Sequence, residues 1–240
     1  MKYDNIALIF AGGVGKRMNN GSLPKQFLEV DGKPIIIHTL EIFEKSEIID
    51  AIVISITPGW ETKLSNLILK FHLKKVIGIV PGGETSQISQ FHALKKIKEN
   101  ATEKTIVLIH DGVRPLINNE VIVNNVESVK HNGSAITVKK AIETVITVAD
   151  ENKVKNVLNR DNYRMAVAPQ SYYFKDIYEA HKKANDIQKF DFVDSSELMQ
   201  YFGNKLFYIE GTMNNIKITT PVDYYIFKGI LEARRVNQIF

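Results

Sequence analysis

The chain has 240 residues, 44% hydrophobic and 24% charged, with a formal net charge of +4. That mixture excludes a disordered or fibrous chain and suits one large domain, read here as a single domain over 1–240. The absence of cysteine excludes disulfides and thiolate metal sites; with a polar start and only strand-length apolar runs, a cytoplasmic protein without a membrane partner is expected. In chain order, Asn5–Ala11 reads as a strand and Pro34–Ser46 as a helix, with proline near its start and apolar residues at helical spacing. Strands over Ala51–Thr57, Lys75–Val80 and Thr105–His110 alternate with helices over Trp60–His72 and Thr85–Asn100. Near-continuous apolar strands alternating with helices imply a parallel sheet covered on both faces.

The second half changes character. Glu143–Leu158 alternates about the turn-like "ADEN" and reads as a β-hairpin, whose apolar face needs either the parent domain or a second subunit to pack on. A helix over Phe174–Ala184 follows, then a second over Asp194–Gly203, capped by Asp194 or Ser195. Lys205–Gly211 and Asn215–Thr219 read as late strands, and the Thr-Pro start of Thr220–Arg235 marks a closing helix.

Ligands of such sheets sit at the carboxyl ends of the strands. Three loops stand there: "AGGVGKR", "PGGETS" and "HDGVRP". The first fits neither familiar phosphate motif. For a P-loop, Phe10 stands where the first glycine belongs and Arg17 where Ser or Thr belongs; for a dinucleotide fingerprint, Met18 replaces the third glycine. The electrostatic purpose survives both failures. Glycines let backbone N–H groups converge on phosphate oxygens, and Arg17 and Lys25 supply charge-assisted contacts, so a triphosphate is expected there. The remaining lysine clusters, Lys95–Lys98 and His181–Lys183, read as helix surfaces, and no aromatic-plus-basic platform points to nucleic acid.

"AGGVGKRM…LPKQF", followed in order by "PGGETSQIS", "HDGVRP", "AIETV", "NR", "APQ", "VDSSE" and "NNIKITTPVD", closely resembles the cytidylyltransferases that act on 2-C-methyl-D-erythritol 4-phosphate and D-ribitol 5-phosphate. The resemblance covers essentially the whole chain. It implies an α/β, Rossmann-like nucleotidyltransferase fold, with a mostly parallel sheet flanked by helices and a protruding β-hairpin dimerisation arm over residues 137–160. It also implies CTP and a polyol phosphate as substrates, Mg²⁺ as cofactor, and a homodimer joined through the arm. Ala11, Gly12, Gly13, Arg17, Lys25, Gly82, Gly83, Ser89, Asp111 and Gly112 match nucleotide-binding positions. Arg17, Lys25 and Lys217 match the catalytic cations; Asp111, Arg114, Thr144, Arg160 and Lys217 match acceptor-binding positions, with Arg114 and Thr144 reaching the neighbouring subunit's site. No metal ligand is assigned.

Three positions depart from the family pattern: Ser86 stands for an arginine, Ala168 for a threonine, and Val193 for a threonine that donates to the acceptor phosphate. Ser195 or Ser196 is the expected substitute donor. "LPKQFLE" and "NIKITTPVD" favour the polyol branch, with a CDP-alditol for teichoic-acid or capsule synthesis as product. Methylerythritol phosphate is the second candidate acceptor, and a CTP-binding regulator without turnover is the competing class.

Overall fold

β-branched apolar runs too uniform to leave a wet face become the centre of the sheet. In the computed structural model, which describes residues 2–12 and 23–236, β1 (Asn5–Ala11), β4 (Ala51–Ile56) and β6 (Ile106–Asp111) are almost wholly buried. Between β1 and β4, the two-residue strands β2 (Glu29–Val30) and β3 (Lys33–Pro34) form a small hairpin that leads into α1 (Ile35–Lys45). Then come α2 (Glu61–Lys70), β5 (Val76–Pro81), α3 (Ser86–Ile97) and, after β6, α4 (Asn119–Asn132). The remaining elements are β7 (Ser134–Lys140), β8 (Val145–Val148), β9 (Val154–Leu158), β10 (Arg164–Tyr173), α5 (Phe174–Asp186), α6 (Ser195–Tyr201), β11 (Tyr208–Glu210) and α7 (Pro221–Arg235).

Seven strands form one sheet in the order β11-β7-β10-β6-β1-β4-β5. The β1, β4, β5 and β6 pairings are parallel; β10 runs antiparallel to both β6 and β7. One apolar layer (Ile36, Leu40, Phe43, Val126) covers the face under α1 and α4, and another (Ala93, Leu94, Ile177, Leu198) the face under α3, α5 and α6. Each such fully buried side chain contributes roughly 1.5–3 kcal/mol. From β1 the chain builds toward β4 and β5 on one side, then returns to place β6 on the other. That is a topological switch point, and the carboxyl ends of β1 and β6 open a crevice there.

Three sequence expectations change. Asn215–Thr219 forms no strand: the Asn215 side chain donates to the Ala168 carbonyl at 2.7 Å and Ile218 N–H to the Val113 carbonyl at 2.9 Å, so the segment straps the crevice instead of extending the sheet. Residues 137–140 belong to β7 of the main sheet, so the arm begins only after Lys140. The hairpin itself, β8 paired with β9, is a separate two-stranded sheet. Asp194, not Ser195, caps α6, accepting from Glu197 N–H.

Candidate active site

Two cavities lie at the switch point. The first, about 340 Å³, is lined by Ala11, Gly12, Lys25, Gly83 and Ser89 among others. The second, about 220 Å³, is lined by Arg114, Ala168, Gln170, Val193, Asp194 and others. Phe10, Ser86, Asp111 and Lys217 line both, so the cavities meet where these four converge.

The first cavity owes its shape to close packing around one hydroxyl. Ser89 Oγ accepts from Gly83 N–H at 3.0 Å and donates to the Thr85 carbonyl at 2.9 Å. A Cβ on Gly82 would stand 3.0 Å from that oxygen, and one on Gly83 would stand 2.2 Å from Ile88 Cγ2, so neither position admits a side chain. Lys25 enters through the short helical turn Lys25–Phe27, and it is buried. Its neighbour Gln26, which stands in the "LPKQF" motif but to which the resemblance assigns no role, donates to the Ala11 carbonyl at 2.7 Å and to Thr57 Oγ1 at 3.2 Å, tying the Lys25 turn to the end of β1. Gly112 lines neither cavity. Its N–H donates to the Phe10 carbonyl and its missing side chain makes room for Ala11, so its part is to bring β6 against β1.

Asp111, last residue of β6, is the hinge of the arrangement. Lys217 Nζ lies 2.6 Å from one carboxylate oxygen and Arg114 Nε 2.7 Å from the other. Burial alone would raise the Asp111 pKa; the Lys217 ammonium and Arg114 guanidinium overcome it and hold the carboxyl below its ordinary value. Arg114 also donates to the Asn215 carbonyl at 3.0 Å, and the buried Lys139 to the Met213 carbonyl at 2.8 Å. Burial, then the Arg114 charge, push the Lys139 pKa down. These two cations fasten the segment that presents Lys217.

The resemblance has Arg114 reaching the neighbouring subunit's site. In the fold it lines this chain's own cavity, because the carboxylate three residues before it captures the guanidinium. Thr144 and Arg160 are not brought to the cluster. Both are exposed on the arm, where Arg160 donates to the Ile142 carbonyl. Gly13 and Arg17 lie outside the described residues. Ser195 and Ser196 do not replace the missing donor of Val193: the Ser195 hydroxyl donates to Gln170 Oε1 and that of Ser196 to Asp194 Oδ1, 2.6 Å away. Gln170 Nε2 in turn donates to Asp194 Oδ2 at 2.7 Å, a pairing across 24 residues that no local motif announces.

Among the described residues no group of three His, Asp or Glu side chains is placed to hold a metal, and no helix is long and apolar enough to cross a membrane. The profile of the 2-C-methyl-D-erythritol 4-phosphate cytidylyltransferase family matches residues 5–233. The chain is 49% identical over 236 residues to the ribitol-5-phosphate cytidylyltransferase of Streptococcus agalactiae, with 98% of each chain covered. It is 48% identical to that of Vibrio parahaemolyticus, covering 98% of this chain and 99% of the relative. It is 34% identical to the 2-C-methyl-D-erythritol 4-phosphate cytidylyltransferase of Clostridium novyi, over 95% of this chain and 96% of the relative. The fold is similar to that of 4-diphosphocytidyl-2C-methyl-D-erythritol synthase from Anaerococcus prevotii, with a TM-score of 0.83, 28% identity and 96% of each chain covered. The chain therefore belongs to the 2-C-methyl-D-erythritol 4-phosphate cytidylyltransferase family and is a nucleotidyltransferase.

Proposed function

We propose that this enzyme transfers CMP from CTP to D-ribitol 5-phosphate, giving CDP-ribitol and pyrophosphate. The observation that carries the reading is the meeting of two cavities at Asp111 and Lys217: one glycine-walled and nucleotide-sized, the other smaller and walled by both polar and apolar side chains. The acceptor is taken from the relatives at 48–49% identity. CTP occupies the cavity of Lys25 and Ser89, and the acceptor that of Arg114 and Gln170. An acceptor phosphate oxygen attacks the α-phosphorus, the bond to the bridging oxygen of the β-phosphate breaks, and pyrophosphate leaves with that electron pair. The nucleophile is already an anion, so no general base is needed. What the site supplies is positive charge where two anions are pressed together. Lys217 stands at that junction, and Lys25 on the nucleotide side.

Among the described residues Asp111 is the one carboxylate lining both cavities, and it would hold Mg²⁺ as a protein ligand beside substrate phosphates. When bound, Mg²⁺ neutralises phosphate charge. Asp111 releases part of its hold on Lys217 as phosphates arrive to take the ammonium.

Pyrophosphate release with CTP, Mg²⁺ and a panel of acceptors tests the reading. D-ribitol 5-phosphate is expected to exceed 2-C-methyl-D-erythritol 4-phosphate in kcat/KM by about tenfold or more, the order that the relatives at 48–49% identity support. The opposite order would transfer the chain to the methylerythritol branch, and CTP binding without pyrophosphate from any acceptor would make it a regulator.

The arm is read as the seam of a homodimer. Ile146 pairs with Val157 and Val148 with Val154 across β8 and β9, giving one apolar face that is 45–70% exposed residue by residue. An isolated hairpin with such a face is marginal in water unless covered. Covering by a second copy also gives Thr144 and Arg160 a site to serve, that of the neighbouring subunit. Val157→Asp is expected to shift the protein from dimer to monomer in sedimentation and to lower activity with it; an unchanged sedimentation coefficient would refute the arm as the seam. The use of CTP and the absence of cysteine support a cytoplasmic reaction, and the CDP-alditol product suits a later polyol-phosphate transfer in cell-wall or capsule synthesis.

A further inference from the structure

The acceptor cavity continues into a smaller space that neither Lys217 nor Arg114 lines. Ser86, Gln90, Asp194 and Ser195 line both, and the wall of the smaller space includes Gln87 and His181. Its free volume is about 10 Å³, room for one hydroxyl or one water.

Its wall carries polar groups without partners. Gln87 is 6% exposed; Nε2 is committed to the Lys189 carbonyl at 2.8 Å, and Oε1 has no hydrogen-bond partner among the described residues. His181 is 2% exposed, and neither ring nitrogen has a partner there. Its ring stacks on Phe91 with centroids 5.8 Å apart and planes 8° apart, which fixes its plane. Burial lowers its pKa to about 3, so the ring is neutral and offers one N–H and one lone pair. Buried polar groups in folded proteins are nearly always paired. Gln87 and His181, which also border a pocket with Phe91 and Asn185, line this hydroxyl-sized space, and an unpartnered amide oxygen with a neutral imidazole matches a group that both donates and accepts.

Charge orders the cavity from front to back. Lys217 lines the junction with the nucleotide cavity and Arg114 the acceptor cavity beside it; neither lines the smaller space, where Asp194 stands with the neutral Gln87 and His181. A phosphate belongs at the front and is repelled from the rear. We propose that Gln87 and His181 form a specificity subsite for the terminal hydroxyl of an alditol phosphate, the one farthest from its phosphate. This rests on the polyol-phosphate reading above and deepens it: acceptor choice is made by the far end of the chain as well as by the phosphate.

The test is a paired comparison on the full-length protein. kcat/KM is measured by pyrophosphate release for D-ribitol 5-phosphate and for its 1-deoxy analogue, which lacks only that hydroxyl. The unmodified enzyme is expected to prefer the complete acceptor by about tenfold or more, since the analogue leaves buried partners unmatched. In Gln87→Leu and in His181→Leu the preference is expected to fall to within about twofold to threefold, because an apolar wall gains nothing from the hydroxyl. Each ratio is taken within one protein, so a partial loss of folded material cancels, and the unmodified enzyme decides even where a variant is insoluble. Equal use of both acceptors by the unmodified enzyme would mean that the space holds a buried water only, and would overturn the subsite. A preference persisting in both variants would do the same. Failure of D-ribitol 5-phosphate to release any pyrophosphate would instead sink the functional reading and the subsite with it.

Discussion

Lys217→Met is expected to lower kcat by about a thousandfold, in the range seen when one preorganised charge-stabilising group is removed from a phosphoryl-transfer site. The fold is expected to survive. The Lys217 side chain is 41% exposed, and Asp111 keeps its second cation, Arg114, at 2.7 Å. Methionine preserves the stem and removes only the charge. The loss should fall on kcat more than on the KM for CTP, because Lys217 stands at the junction of the cavities while Lys25, Gly12, Gly83 and Ser89 line the cavity proposed for the nucleotide. Lys217→Arg is expected to recover part of the rate, since it restores charge with altered reach. Steady-state kinetics beside a thermal melt decide the matter. A thousandfold loss accompanied by a collapse in Tm would make Lys217 a structural partner of Asp111, and a loss under about tenfold would remove it from the transition state.

How far that site is legible in the sequence depends on whether each residue's partner lies nearby along the chain. The strand β1 is readable residue for residue, because the six-residue apolar run after Asn5, buried on both faces, leaves no other assignment. The strand β10 is not: Pro169 inside it argues against a central strand, and the structure accommodates it where the β7–β10 register shifts between Ala166 and Gln170. The helix α4 carries clear signals at its ends, where Asn118 caps it and Gly133, at φ 85°, stops it, and between them Val121, Ile122, Val126 and Val129 mark its buried face. Asn215–Thr219 alternates like a strand, yet a side-chain bond to Ala168 diverts it, and alternation alone carries no trace of that bond. The cations follow the same rule. Lys25, Asp111 and Lys217 stand in recognisable motifs, whereas the capture of Arg114, the fastening of the Lys217 segment by Lys139 and the commitment of both serine hydroxyls near Val193 are facts of side-chain packing that no motif encodes.

The second large effect is on stability in acid. Between pH 6.5 and pH 4 the protein is expected to lose roughly 3 kcal/mol on account of each of two histidines, His110 and His181. His110 is fully buried on β6 beside the Phe43 ring; Nε2 donates to the Arg114 carbonyl at 3.2 Å and Nδ1 has no partner among the described residues. Burial pushes its pKa down to about 4, and that of His181 to about 3. In the unfolded chain both titrate near 6.5. Above that pH neither state binds the proton and stability is independent of these groups. Below it the unfolded chain takes up protons that the folded protein refuses, so stability falls as pH falls, by about 1.4 kcal/mol per unit for each ring. The combined loss is comparable with the whole stability of an ordinary domain, about 5–15 kcal/mol. Below pH 4 the depressed pKa of Asp111 adds to the loss in the same direction, because protonation breaks its pairing with Lys217 and Arg114. His181→Leu separates the contributions. It removes two buried nitrogens that have no partner among the described residues, so it is expected to be neutral or stabilising at pH 7 and to abolish about half of the acid dependence. Urea midpoints at pH 7, 5.5 and 4.5 for both proteins measure it. A midpoint that stays flat to pH 4.5 in the unmodified protein would show that both rings take up protons in the folded state, and equal slopes in the two proteins would clear His181 of any part in the acid dependence.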